Sequence, residues 1–368
     1  MAPLGALGRF RGGSGFPLRF QGMTYGEIPF YKVSDMNLAG NETVLTSANN
    51  WISRAEVEEM RVVVHPAGSI VFAKVGAAIF LERKRILATP SCIDNNMMAF
   101  VPDASRCDVK FVHQALIVTN LGEHVNATAL PSLNASVLSA IEISAPPLPD
   151  QLRIADALSE VDALIDSIDY GIEKKRLMRE GTGQALLWGG TDHAWPLSNF
   201  SDVFNRVNLR GKKLPASRFG LAGRWPIVDQ SQRPIAGYSD EAGLVLQVPE
   251  GGAIVFGDHT RQVKFVGSDF IPGADGVQVL ETMGENCTGF FAYVLKAIPL
   301  PETGYNRHYK FLKVVKVPLP PPLDQQRIAC ALSDIDADIE ALASRKEKTQ
   351  MVKSAMAHDL LSGERRVQ

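Results

Sequence analysis

The chain contains one stretch of itself twice. Residues 150–165 read DQLRIADALSEVDALI and residues 324–339 read DQQRIACALSDIDADI, with eleven of sixteen positions identical at a constant offset of 174. The same offset maps LLWG (186–189) onto LLSG (360–363), so the shared unit is about 40 residues long. Each copy follows a proline-rich entry, APPLPD (145–150) or PLPPPLD (318–324). The regions preceding the two copies, about 145 and 130 residues, are much less alike. An internal repeat decides an architecture before any local pattern does. Here it gives a layout of variable region, helix, variable region, helix.

The repeat is helical. In the first copy apolar residues fall at Ile154, Leu158, Val161, Ile165, Ile168 and Ile172, in steps of four and three. That is a heptad seam. The second copy repeats it at Ile328, Leu332, Ile335, Ile339 and Leu342, loses it at Lys346 and Thr349, and recovers at Met356 and Leu360. Prolines stand where a helix tolerates them, in its first turn. Gly189 and Gly363 stand where a helix stops. A helix of this length spans about 60 Å and cannot cover its apolar stripe alone. Two copies in one chain predict an antiparallel coiled coil with a pseudo-twofold. Further apolar residues lie off the seam: Leu164, Leu177, Leu186, Leu187 and Trp188 in one helix, Met351 and Leu361 in the other.

Both variable regions read as mixed α/β domains with short strands and long loops. GSIVFAK (from Gly68) and GAIVFGD (from Gly252) are alike and have strand character. Their offset is 184 rather than 174, which predicts a shared core strand with different loop lengths. GRFRGGSG (8–15) reads as a flexible entry loop. The fold class is α+β, divided as 1–146, 147–190, 191–317 and 318–368.

Composition excludes several functions. At 45% hydrophobic and 21% charged the chain is globular, and its best apolar run, 70–81, is broken by Lys74 and Gly76. No signal-peptide pattern opens it, so a cytoplasmic location is expected. Cys92, Cys107, Cys287 and Cys330 lack CxxC spacing, and the seven histidines form no HxxxH or HExxH. No metal site is expected. Charge is uneven: Lys+Arg against Asp+Glu is 12 and 12 in 1–146, 5 and 9 in 147–194, 14 and 11 in 195–317, and 7 and 8 in 318–368. The variable regions are better placed than the helices to meet phosphate. No GxxxxGK[ST] and no NPPF or DPPY stretch is present, so neither a P-loop ATPase nor an adenine methyltransferase is legible. Pro149-Asp150 with Glu173-Lys174-Lys175 imitates a nuclease PD…ExK pattern, but 23 residues of one straight helix separate the carboxylates by about 35 Å.

PPLPDQLRIADAL (146–158) and PPPLDQQRIACAL (320–332) resemble the openings of the helical spacers in specificity (S) subunits of type I restriction-modification enzymes. Asp150 and Asp324 stand where that family often has Glu. IPFYKVSDMN and SCIDNNMMAF in the first variable region, and IVFGDHTRQVKFV, GADGVQVL and GYNRHYKFL in the second, resemble its target recognition domains. The resemblance covers essentially the whole chain. It implies a non-catalytic subunit in which each recognition domain reads one half of a split double-stranded DNA site and the helices hold the halves at fixed spacing. It also implies two methyltransferase (M) subunits using S-adenosylmethionine, and motor-nuclease (R) subunits using ATP and Mg.

Base readout favours Arg or Lys on guanine and Asn or Gln on adenine, and phosphate contacts favour Lys, Arg, Ser and Thr. On that basis the first-domain candidates are Lys74, Arg83, Lys84, Arg85, Asn95 and Asn96. Those of the second are Gln230, Gln232, Arg233, His259, Thr260, Arg261, Lys264, Arg307, His308 and Lys310. The competing readings are a specificity subunit whose methyltransferase partner also cleaves, a coiled-coil adaptor without DNA binding, and a stand-alone nuclease.

Overall fold

In the computed structural model, which describes residues 1–126, 130–190, 194–274, 276–301 and 306–363, the repeats are two helices of 41 residues, Leu148–Trp188 and Pro322–Ser362. Gly189 (φ 86°) and Gly190 (φ 68°) end the first, and Gly363 (φ 82°) ends the second. All three adopt the left-handed backbone that glycine enters without a steric cost. The amides of Gly189 and Gly190 both donate to the Ala185 carbonyl, at 3.0 and 2.9 Å. Among the described residues no helix is long and apolar enough to cross a membrane.

The chain folds as two compact units, Met1–Ile168 with Arg345–Gln368, and Asp169–Ser344. Each contains a stretch of both long helices.

In the first unit a five-stranded sheet runs in the order Gly8–Gly12, Met97–Pro102, Ile70–Ala73, Lys84–Leu87, Val44–Leu45. A three-stranded sheet runs Trp51–Ile52, Ile28–Tyr31, Cys92–Ile93. The central strand Ile70–Ala73 is buried on both faces, which is why its sequence is a continuous β-branched and aromatic run. Ile70 and its cross-strand partner Phe100 pack with the helix Val109–Val118, while Val71 and Ala99 pack with Tyr31, Met36 and Leu45. Residues 8–12 correct the sequence reading. They are an edge strand, with Arg11 opposite Ala99, and not a flexible loop.

The second unit repeats the plan. Its four-stranded sheet runs Phe204–Arg206, Val277–Thr282, Ala253–Gly257, Val263–Val266, and its three-stranded sheet runs Gly237–Ser239, Trp225–Val228, Ile271–Pro272. Ile254 and Leu280 pack with the helix Thr288–Ala297, while Val255 and Val279 pack in a separate cluster with Val228 and Phe270. The two strands matched in sequence, Ile70–Ala73 and Ala253–Gly257, hold the same place in their sheets.

Within each unit the long helices run antiparallel. In the first, Ile154, Ala155 and Leu158 share a core with Ala357 and Leu361, and Lys353 pairs with Asp162 at 2.6 Å. In the second, Lys175 pairs with Asp338 at 2.5 Å and Arg179 with Asp336. There a Cβ on Gly171 or Gly183 would lie 3.6 Å from Leu342 or Leu332. Of the expected seam, Ile154, Leu158, Ile168, Ile172, Ile328 and Leu332 are buried, while Val161, Ile165, Ile335, Ile339 and Leu342 are half-buried. Beyond Ile172 the first helix turns Lys175, Arg179 and Gly183 toward its partner, so ion pairs replace part of the apolar stripe. Off the seam, Leu186, Leu187 and Trp188 join the second unit's core and Leu361 the first's. Leu164, Leu177 and Met351 remain exposed.

Candidate nucleic-acid interface

In the first unit the edge strand, the central strand and the 93–97 turn meet at one end of the large sheet. The Gly13 amide donates to Met97 O at 3.0 Å, Ser14 N to Ile93 O at 2.9 Å, and Lys74 N to Asn96 O at 2.8 Å. Asp94, buried beneath the turn, accepts the Asn96 amide at 2.9 Å. Burial pushes its carboxyl up, against the bonds from Asn96 that hold it down. Asn95 and Asn96 are left exposed at the tip, with Lys74 half-buried beside them and Arg11 exposed on the adjoining strand. Arg11 is absent from the sequence candidates. The alternation Arg9-Phe10-Arg11, with Phe10 packed inward, was the available strand signal.

The basic turn 83–85 behaves differently. Lys84 is a correction: it is fully buried, its ammonium paired with Glu82 and donating to Thr119 O at 3.0 Å. Burial lowers its pKa, against the pull of Glu82. Glu82 also accepts the Leu121 and Gly122 amides, at 3.2 and 2.8 Å. Position 84 faces inward because it sits opposite Phe72 in the sheet ladder. Arg83 is half-buried and bound to Asn37. Arg85 is half-buried, donates to Lys84 O at 3.0 Å, and has its Nε enclosed. Burial, then the Arg83 charge, lowers its pKa.

In the second unit the candidates form one connected group of loops. Thr260 Oγ1 donates to Gln230 O at 2.6 Å, and Gln230 Oε1 accepts the His259 amide at 3.2 Å. Lys264 donates to Arg233 O at 2.5 Å and lies 3.5 Å from the Asp229 carboxylate, which holds the 229–233 loop to the sheet. Arg261, at φ 61°, donates to Leu300 O at 3.3 Å. Asp258 is the anchor. Its carboxylate accepts the Tyr309 amide at 2.7 Å, and its carbonyl faces His308 Nδ1 at 3.0 Å. His308 is the second correction: it is 2% exposed and serves this turn from inside. Gln232, Arg233, Thr260, Arg307 and Lys310 are exposed, and Gln230, His259, Arg261 and Lys264 are half-buried. Asp275 in the quoted GADGVQVL, and Gly304 and Tyr305 in the quoted GYNRHYKFL, lie outside the described residues, as does His193. Among the described residues no group of three metal-ligating side chains comes together. Asp150 and Glu173 lie on the same helix, as the sequence required.

Two sheet-bearing units with matching strand order, each containing a stretch of both long helices, define a twice-built α+β architecture. Comparison with known proteins shows what that architecture is similar to. Residues 10–175 match the family model for the type I restriction modification DNA specificity domain. A putative type I restriction enzyme MjaX specificity subunit from Methanocaldococcus jannaschii is 24% identical over 275 residues, which is 64% of this chain. The match spans 62% of that relative's length, so this chain covers less than two thirds of it. The crystal structure of a type I restriction-modification S subunit from M. genitalium superposes with a TM-score of 0.64 at 15% identity, over 98% of this chain and 95% of that one. A structure of a type I restriction-modification system, solved to explain its assembly and conformational transition, superposes with a TM-score of 0.52 at 14% identity, over 99% and 97%. Residues 10–175 are therefore similar to the type I restriction modification DNA specificity domain. The resemblance of the chain to S subunits, read from its helical repeat, is borne out.

Proposed function

We propose that the chain is the DNA-specificity subunit of a type I restriction-modification complex. The observation that carries this reading is the duplication. The second unit, most of which lies outside the matched residues 10–175, repeats the sheet order of the first and packs it on the same helix pair. Two readers of one design suit a split DNA site, and two helices that each run on from one unit into the other suit a fixed gap. In the first unit Arg11, Lys74, Asn95 and Asn96 meet the duplex, with Arg83 and Arg85 flanking them. In the second the contacts come from Gln232, Arg233, Thr260, Arg307 and Lys310. Gln230, His259, Arg261 and Lys264 shape the loops that carry them.

The chain carries no catalytic site in this reading. Two M subunits dock on the helices and the adjacent domain surfaces and transfer methyl groups from S-adenosylmethionine. R subunits join for cleavage and use ATP and Mg. The exposed Leu164, Leu177 and Met351 suit helices of a partner laid against the pair. The complex works in the cytoplasm. The test is duplex binding by the purified complex of this chain with its M subunits across a salt series. Affinity that falls steeply with salt is expected, because neutralised phosphates release counterions. A stable complex with no salt-sensitive binding would leave only the adaptor role.

A further inference from the structure

The helix pair and the short helix of each unit meet at a carboxylate, and the two meetings match. In the first unit Asp162 receives Lys353 on one oxygen at 2.6 Å and the Gln114 amide on the other at 3.0 Å. In the second, Asp336 receives Arg179 Nε on one oxygen and, on the other, the Tyr293 hydroxyl at 2.9 Å with Arg179 Nη2 at 3.5 Å. Asp162 and Asp336 are separated by the repeat offset of 174, and so are Arg179 and Lys353. Gln114 and Tyr293 are separated by 179, the same offset that relates Asp108 and Cys287, the residues capping the two short helices. A lysine and an arginine, and a glutamine and a tyrosine, thus make one geometry. In each case the basic residue comes from the opposite long helix and the neutral donor from the sheet-bearing domain.

Each carboxylate stands one helical turn beyond a buried leucine of the seam, Leu158 before Asp162 and Leu332 before Asp336. The apolar core holds the domain on the helices but is non-directional. A carboxylate that accepts from two fixed directions is directional. These groups are about a third exposed, so they add little to stability and can still select an angle.

We infer that Gln114–Asp162–Lys353 and Tyr293–Asp336–Arg179 are orientation keys, which fix the angle of each recognition domain on its helix pair and thereby the gap that the subunit accepts between half-sites. The inference rests on the specificity reading above. One base pair is about 3.4 Å of duplex, so a small rotation at the key is enough to bring a neighbouring gap within reach. Gln114 and Tyr293 are positioning residues in this account and touch no DNA.

The test uses Tyr293→Phe and Gln114→Met, which delete the domain-side bond and keep the ion pair between the helices. Methyl transfer by the complete complex is measured on duplexes that carry both half-sites at the preferred gap and at one base pair more or less. Wild type establishes the split site first; if it shows none, the specificity reading fails on its own. The inference expects unchanged half-site bases and about a tenfold rise in methylation at the wrong gaps relative to the right one. Unchanged gap discrimination in both variants overturns it, as does an altered base preference. A second measurement needs no DNA. Spin labels at the exposed Leu18 and Leu221, in a Cys330→Ser background, report the distance distribution between the domains. Tyr293→Phe should broaden it about twofold, and an unaltered width contradicts the inference whatever the methylation shows.

Discussion

The side-chain oxygen of Gln151 accepts the backbone amide of Asp108 at 3.0 Å, and Gln325 accepts that of Cys287 at 2.8 Å. Both glutamines are buried, and both return a donor bond to the proline entry of their own helix, to Pro146 O at 2.8 Å and Pro320 O at 2.9 Å. The repeated Asp-Gln thus ties the start of each long helix to the start of each short one. Truncating either glutamine to alanine strands a buried amide at a cost of about 1–3 kcal/mol. Glutamate is expected to be no better, because it sets a carboxylate against carbonyl oxygens. Denaturant midpoints of Gln151→Ala, Gln325→Ala and the two glutamate variants check this; wild-type midpoints would contradict it.

Lys84 and Arg11 should separate stability from DNA binding. Removing the Lys84 ammonium leaves Glu82 without its buried partner, and Lys84→Ala should cost about 3 kcal/mol. The salt slope of DNA binding should stay at the wild-type value, because Lys84 meets no phosphate. A lower slope in a folded Lys84→Ala complex would return Lys84 to the interface.

Arg11→Ala should do the reverse. Arg11 is exposed on an edge strand and its loss should alter stability by no more than about 0.5 kcal/mol. If it neutralises one phosphate, the slope of log affinity against log salt becomes shallower by about 0.9. If it reads a base instead, discrimination at one position falls and the slope holds. No change in either would remove it from the interface.

His65 gives the first unit an acid limit. It is fully buried, and among the described residues neither ring nitrogen has a hydrogen-bond partner. Burial, then the nearby Arg11 charge, pushes its pKa down to about 4 from 6.5. The unfolded chain then binds this proton more readily than the folded one at intermediate pH. The contribution is fully present above pH 6.5 and is lost as pH falls toward 4, by about 3 kcal/mol in total. Thermal unfolding of wild type and His65→Phe between pH 7 and 4 tests this. The variant should lose that part of the slope, and parallel curves would refute the assignment.

Much of this was legible in the sequence because the repeat imposed it. The helix ends at Gly189 and Gly363, the paired central strands, and the failure of Asp150 and Glu173 to share a site all follow from offsets and spacing. Burial of individual polar residues was not legible. Lys84 looked like its neighbours Arg83 and Arg85, and only its place opposite Phe72 turns it inward. His308 looked like a surface residue beside Arg307, and only the fold of the Asp258 turn covers it. The Arg-Phe-Arg alternation at 9–11 was hidden by the glycines around it. The carboxylate keys were invisible because their domain-side partners, Gln114 and Tyr293, share neither residue type nor the helical offset.

The central claim is that each unit reads one half of a split site. Single-molecule mapping of methyladenine, in a methylation-free host expressing this chain with its methyltransferase subunits, tests it most directly. The account predicts a two-part motif with a fixed gap, and Gln232→Ala with Arg233→Ala should degrade one half while the other half stays intact. A continuous motif, or the loss of both halves together in a complex that still assembles, would contradict it.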